Sequence, residues 1–134
     1  MSYWLLKSDP ETYSFHDLKV DKKTVWDGVL NSLALKHIRN MKKGDLAFVY
    51  HSGDEKSIVG IAEIVSDPYP DPKQKDDRLA VMEISYKETL KSPVTLASVK
   101  ADKRFSDFAL VRMSRLSVMP VTAKQWKTLL AMSH

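Results

Sequence analysis

The apolar positions of this chain fall mostly into short runs of strand character and recur at helical spacing only in a few capped stretches. The clearest run is 44–65, GDLAFVYHSGDEKSIVGIAEIV. Its first arm carries Leu46, Phe48 and Tyr50, and its second is β-branched through Ile58, Val59, Ile61, Ile64 and Val65, residue types that fit a packed, pleated surface. Ser52 to Lys56 between them is polar and contains Gly53, so the stretch predicts a hairpin with a wide turn. Tyr3 to Lys7, closed by Ser8, Asp9 and Pro10, predicts a first strand that points Trp4 into the core. Thr24, Val25 and Trp26 make a brief extended piece that breaks at Asp27 and Gly28. Leu79 to Tyr86 predicts a strand that reaches Leu90 and is stopped by Pro93, and Ser117 to Pro120 predicts the last one.

Helices are announced by their caps. Ser14 and Asp17 have the spacing of a capping box, with Tyr13 and Leu18 as its hydrophobic staple, and a short helix through Val20 follows. Asn31 is an N-cap for a helix on which Leu30, Ala34, His37, Ile38 and Met41 share an apolar side. Thr95 caps a turn through Lys100, and Phe105 to Val111 predicts another short helix. Thr122 with Gln125 is a second capping box, stapled by Val121 and Trp126, ahead of a helix carrying Leu129, Leu130 and Met132. Asp67 to Pro72 is a stiff loop, continued by the charged segment 73–78. Strands and helices do not alternate as a doubly wound parallel sheet requires. The expected class is α+β, built on a curled or barrel-like sheet flanked by short helices.

With 134 residues the chain can bury a core without covalent staples, and one domain over 1–134 is expected. There is no cysteine, which excludes disulfides, thiolate metal sites and cysteine nucleophiles. The segment MSYWLLKSDP lacks the features of a secretory signal, and charges interrupt every apolar run before it could span a bilayer. The reading is of a soluble, cytoplasmic monomer. A formal charge of +4 permits, without requiring, a polyanionic partner.

Catalytic patterns are mostly missing. His51, Ser52 and Asp27 supply the residue types of a hydrolase, but adjacent strand residues point to opposite faces, so His51 is badly placed to deprotonate Ser52. The four histidines show no metal-ligand spacing, and no Gly-rich phosphate loop exists. Neither a metal nor a cofactor is expected. Tyr50, His51 and Ser52 at a strand end read either as a site or as ordinary strand-end residues, with the plainer reading favoured. Trp26 on residue type alone is a core tryptophan, and His37 a core histidine. Lys36, Arg39, Lys42 and Lys43 form a basic helix face that complements the helix C-terminus and could touch phosphate.

Taken in order, YWLLKSDPETYSF, VWDGVLN, KKGDLAFVYHS, VGIAEIVSDPYPDP, SPVTLASVKAD and RLSVMPVTAKQW closely resemble the EVE domain over nearly the whole chain. The resemblance implies a PUA-like fold, a small mixed β-barrel flanked by helices. It also implies a reader of modified bases, such as a methylated cytosine, in DNA or RNA that is single-stranded or has the base flipped out. The pocket layout is similar to that of YTH domains. On that likeness Trp26 is the stacking wall with Tyr50 as a second, and Ser8, Asn31 and Ser52 bond the base edge. Lys7, His51, Arg39, Ser114 and Arg115 form the rim or touch phosphate. The family commonly shows Asn-Tyr-Gln-Ala-Arg-Asn where this chain has Asn31, Ser32, Leu33, Ala34, Leu35 and Lys36, so an aromatic and an arginine are missing there. Competing expectations are a nucleotide- or RNA-modifying enzyme of PUA-like fold, as in the ASCH group, and a protein-interaction domain.

Overall fold

The hairpin foreseen from the pattern is the middle of the sheet. In the computed structural model, which describes residues 1–134, β3 (Leu46–His51) and β4 (Ser57–Ile64) pair antiparallel. On one side β1 (Tyr3–Ser8) runs parallel to β3, and β7 (Val118–Val121) lies antiparallel on β1. On the other side the long β6 (Ala80–Thr95) pairs with β4, and β2 (Lys23–Trp26) pairs with β6. The row is therefore β2-β6-β4-β3-β1-β7, with the two-residue β5 (Tyr69–Pro70) attached to β6. This mixed sheet with short helices is the PUA-like α+β arrangement.

One expectation is corrected here: the sheet is open, not a closed barrel, because β2 and β7 end the row and do not pair with each other. Pro120 within β7 has no N–H to give to a further ladder, which suits an edge strand. A second correction concerns Pro93, which does not stop β6. The register steps from Thr89 opposite Gly60 to Val94 opposite Ile58, so Pro93 lies in a bulge where the ladder asks nothing of its missing N–H.

Five α-helices complete the fold: α1 (Phe15–Asp21), α2 (Ser32–Arg39), α3 (Leu96–Ala101), α4 (Ala109–Arg112) and α5 (Ala123–Met132). Both capping boxes form, with Ser14 and Thr122 accepting from the Asp17 and Gln125 amides, and Asn31 and Thr95 cap α2 and α3 through their side chains. The single helix expected over 105–111 is instead a 3-10 turn at Lys103–Phe105 followed by α4. Phe108 between them is extended and buried, with its ring 5.7 Å from that of Phe105.

Tyr3 and Trp4 are neighbours on β1 and so face opposite sides of the sheet. On one side Trp126 of α5 stacks between Tyr3 and Phe48, at centroid distances of 4.5 and 3.9 Å. On the other Trp4 meets His37 of α2 at 6.2 Å. Burial lowers the His37 pKa, and the charge of Lys36 adds to that shift. At α1, the Phe15 ring lies against Gly60, where an added Cβ would stand 2.2 Å from ring carbons. That contact requires glycine at 60 and sets the start of α1 against the sheet.

Candidate nucleic-acid interface

The C-terminal end of β1, the strand β2 and the loop after it enclose an open cleft of about 700 Å³. That lies within the roughly 300–1,000 Å³ typical of small-ligand sites. Its floor and walls come from Lys7, Ser8 and Asp9 on one side and Thr24, Trp26 and Asp27 on the other. Trp26 is half-buried and packs partly against the core, and the residue still borders the opening. This is intermediate between a core tryptophan and an exposed one.

Three polar groups at the β1 end of the cleft have defined partners. The Lys7 ammonium donates to the Ser114 carbonyl at 2.9 Å and sits 5.7 Å from the centre of the Tyr50 ring. Burial lowers its pKa. The Ser8 hydroxyl donates to the Tyr13 carbonyl, which leaves its oxygen as an acceptor. Asp9 accepts from the Glu11 amide at 2.9 Å, keeping a second carboxylate oxygen free. The cleft thus offers a flat apolar wall, two ammonium groups on Lys7 and Lys73, and several acceptors. A planar heterocycle with an exocyclic amine matches that set, since carboxylates accept from such amines.

A smaller open hollow of about 410 Å³ holds Asn31, Arg112, Ser114 and Arg115. Its two arginines form no ion pair, the close pairs being Lys23–Glu83, His51–Glu55, Arg78–Asp76 and Arg104–Asp102. The Lys7–Ser114 hydrogen bond links this hollow to the cleft.

Of the residues named from the sequence, the structure brings Lys7, Ser8 and Trp26 together in the cleft, and Asn31, Ser114 and Arg115 in the hollow beside it. The Asn31 side chain is already engaged as the α2 cap, accepting from Ala34 N–H at 3.0 Å. The other four are placed elsewhere. Tyr50 is 4% exposed and His51 7%, and neither they nor Ser52 line the cleft. His51 is not a rim residue: its Nε2 accepts the buried Phe15 N–H and its Nδ1 donates to Glu55, both at 2.9 Å. Burial also pushes the Tyr50 phenol up. Ser52 turns its hydroxyl toward the Ser8 carbonyl at 3.4 Å. The physical reason is that β3 has neighbours on both edges and α1 over its end, so what reads as an open strand end is interior. Arg39 lies at the far end of α2, with its guanidinium donating to the Arg78 carbonyl.

Sequence reasoning passed over Asp9, Leu30, Lys73 and Ser117 as site residues and weighed Asp27 only as a hydrolase acid, yet all five line the cleft. The available signal was the turn chemistry after two strands, Ser8-Asp9-Pro10 and Asp27-Gly28, because loops on rigid strands are where binding groups concentrate. No three His, Asp or Glu side chains converge as a metal site requires, and no helix is long and apolar enough to cross a membrane.

Fold and cleft together define a PUA-like module with one tryptophan-walled recess. The chain belongs to the EVE domain family, whose model matches residues 2–132. It is 30% identical to human thymocyte nuclear protein 1 over 99% of this chain and 74% of the human protein. Among solved structures, Rpa0253 from Rhodopseudomonas palustris is 44% identical with a TM-score of 0.94, covering 99% of this chain and 93% of that one. Human THYN1, in complex with 5-methylcytosine-containing DNA, is 29% identical with a TM-score of 0.92, covering 100% and 98%. The ASCH protein of Zymomonas mobilis, at 9% identity and a TM-score of 0.60 over 99% and 96%, shares the fold alone.

Proposed function

We propose that this chain is a non-catalytic nucleic-acid reader that holds one modified base against Trp26. The observation that carries the reading is the half-buried indole on the wall of a cleft lined by two ammonium groups, Lys7 and Lys73, and by acceptors. Stacking on such a plane contributes roughly 1–3 kcal/mol per base. The human relative's 5-methylcytosine DNA makes a methylated cytosine the first base to test, and the acceptors Asp9 and Asp27 suit the exocyclic amine that cytosine carries.

The experiment is a binding panel of DNA and RNA oligonucleotides, each with one modified base, against unmodified strands of the same sequence. A preference for one modified base supports the reading, and equal affinity across the panel at low salt removes it. A nucleotide-processing enzyme is the second reading. The partly buried Lys7, with its lowered pKa beside Asp9 in the cleft, is the observation in its favour. Release of an altered base or nucleoside by the pure protein alone would decide for the enzyme.

Arg112 and Arg115 are assigned to phosphate, because they flank the hollow next to the cleft without acidic partners. Changing both to glutamate should weaken modified and unmodified strands alike. The slope of log affinity against log salt should fall by about 1.4–1.8, two phosphate contacts' worth. Loss of selectivity with an unaltered slope would place these arginines at the base instead.

A further inference from the structure

Apart from Met1, Leu30 is the most exposed large hydrophobic side chain, at 74%. The 30-position was expected on the apolar side of α2, but the helix begins at Ser32 and leaves Leu30 outside it. It borders two recesses at once: the Trp26 cleft, and a second hollow of about 370 Å³ on the far side of the same loop, which reaches Asp71 and Gln74. The 27–30 loop is therefore a partition between two cavities.

The partition is held at both ends. Gly28 turns the chain at φ +76°, a conformation that glycine takes without strain. Val29, only 8% exposed, is set into the core. On the other side the Asn31 side chain caps α2 and its carbonyl accepts from Leu35 N–H at 2.9 Å. Leu30 is thus fixed between a buried anchor and a helix cap, one residue from each. Lys73 lines both recesses beside it and Lys7 lines the cleft, interspersed with Asp9, Asp27 and Asp71, so the two ammonium groups are the phosphate-binding groups near the leucine.

Resting on the base-reading proposal, we infer that Leu30 is a wedge for duplex nucleic acid. When a modified base turns out of the stack into the Trp26 cleft, the leucine enters the gap and keeps the neighbouring base pairs apart. Apolar wedges of this kind offset the cost of unstacking. A single strand has no such gap to hold open, so the wedge should matter for duplexes alone.

The test compares the wild-type protein with Leu30→Ala and Leu30→Met on a duplex carrying one 5-methylcytosine next to a fluorescent adenine analogue, and on the same methylated strand alone. Wild type should brighten the analogue in the duplex. Leu30→Ala should lose that signal and bind the duplex at least about tenfold more weakly, while its single-strand affinity falls several-fold less than its duplex affinity. Leu30→Met, which keeps an apolar prong, should restore both. An exposed side chain permits these changes without unfolding, which equal melting midpoints would confirm. If wild type prefers methylated DNA but Leu30→Ala binds the duplex as tightly, the wedge is wrong and base reading survives. If wild type shows no preference for methylation in either form, base reading fails and the wedge falls with it.

Discussion

Replacing Asp45 with alanine is expected to lower the melting midpoint by roughly 10–15 °C, a loss of about 3–5 kcal/mol. Asp45 is 5% exposed, yet its carboxylate is fully used. One oxygen accepts from Ser2 N–H, and the other from the Trp4 indole and Lys42 N–H, each at 3.0 Å. Burial alone would raise its pKa, but the three donors and the chain's terminal ammonium outweigh it and hold the group below its ordinary 3.8. Alanine would leave the buried indole and the Lys42 amide without partners, which costs more than the lost bonds themselves contribute. These bonds tie the start of β1 to the turn before β3, and the far end of β1 carries Lys7 and Ser8 into the cleft. The same variant should therefore bind weakly at temperatures where it still folds.

The pH dependence has a definite sign. A carboxylate whose folded pKa is depressed contributes stability above its unfolded value and loses it as pH falls through the folded one. The difference in midpoint between wild type and Asp45→Ala should hold from neutral pH to about 4 and narrow below that. Asp45→Asn should recover little, since its amide group would face N–H donors with one oxygen at most. A midpoint within about 3 °C of wild type for Asp45→Ala would show that the donors find water instead.

Local chemistry was what the sequence made legible. Ser14 with Asp17, Asn31, Thr95, and Thr122 with Gln125 mark helix starts because a cap is satisfied within three or four residues, whatever the rest of the chain does. The 46–64 hairpin was readable for the same reason. What could not be read was which strands lie side by side. His51 and Tyr50 looked accessible because they end a strand, but β1 at one edge, β4 at the other and Phe15 N–H over the end enclose them. Nothing in the sequence singles out Asp45, since its donors Ser2 and Trp4 lie more than 40 positions away. The cleft shows both limits. Trp26 entered as a wall only through likeness to a family; Asp9 was read as a turn former and Asp27 as a strand break or a hydrolase acid, because their meeting in one cleft joins two loops distant in sequence.

Trp26→Ala should weaken binding to a methylated strand by about 1–3 kcal/mol, or roughly five- to 150-fold, while binding to an unmodified strand falls less. The difference arises because the phosphate contacts proposed for Arg112 and Arg115 would not depend on the indole, whereas a base held in the cleft would lose the plane it rests on. The effect on folding should be smaller than for a core tryptophan. Trp26 packs against the core over part of its surface only, while Trp4 is 6% exposed and hydrogen-bonded to Asp45. Truncating an aromatic of the second kind costs roughly 3–5 kcal/mol. Trp4→Ala is therefore the control: it should melt far below Trp26→Ala yet keep its selectivity in whatever fraction remains folded. Trp26→Phe, which keeps a flat ring of smaller area, should fall between wild type and alanine in affinity for the methylated strand. If Trp26→Ala instead melts as low as Trp4→Ala and still prefers methylated over plain DNA by the wild-type ratio, the indole is structural and the base must be read elsewhere.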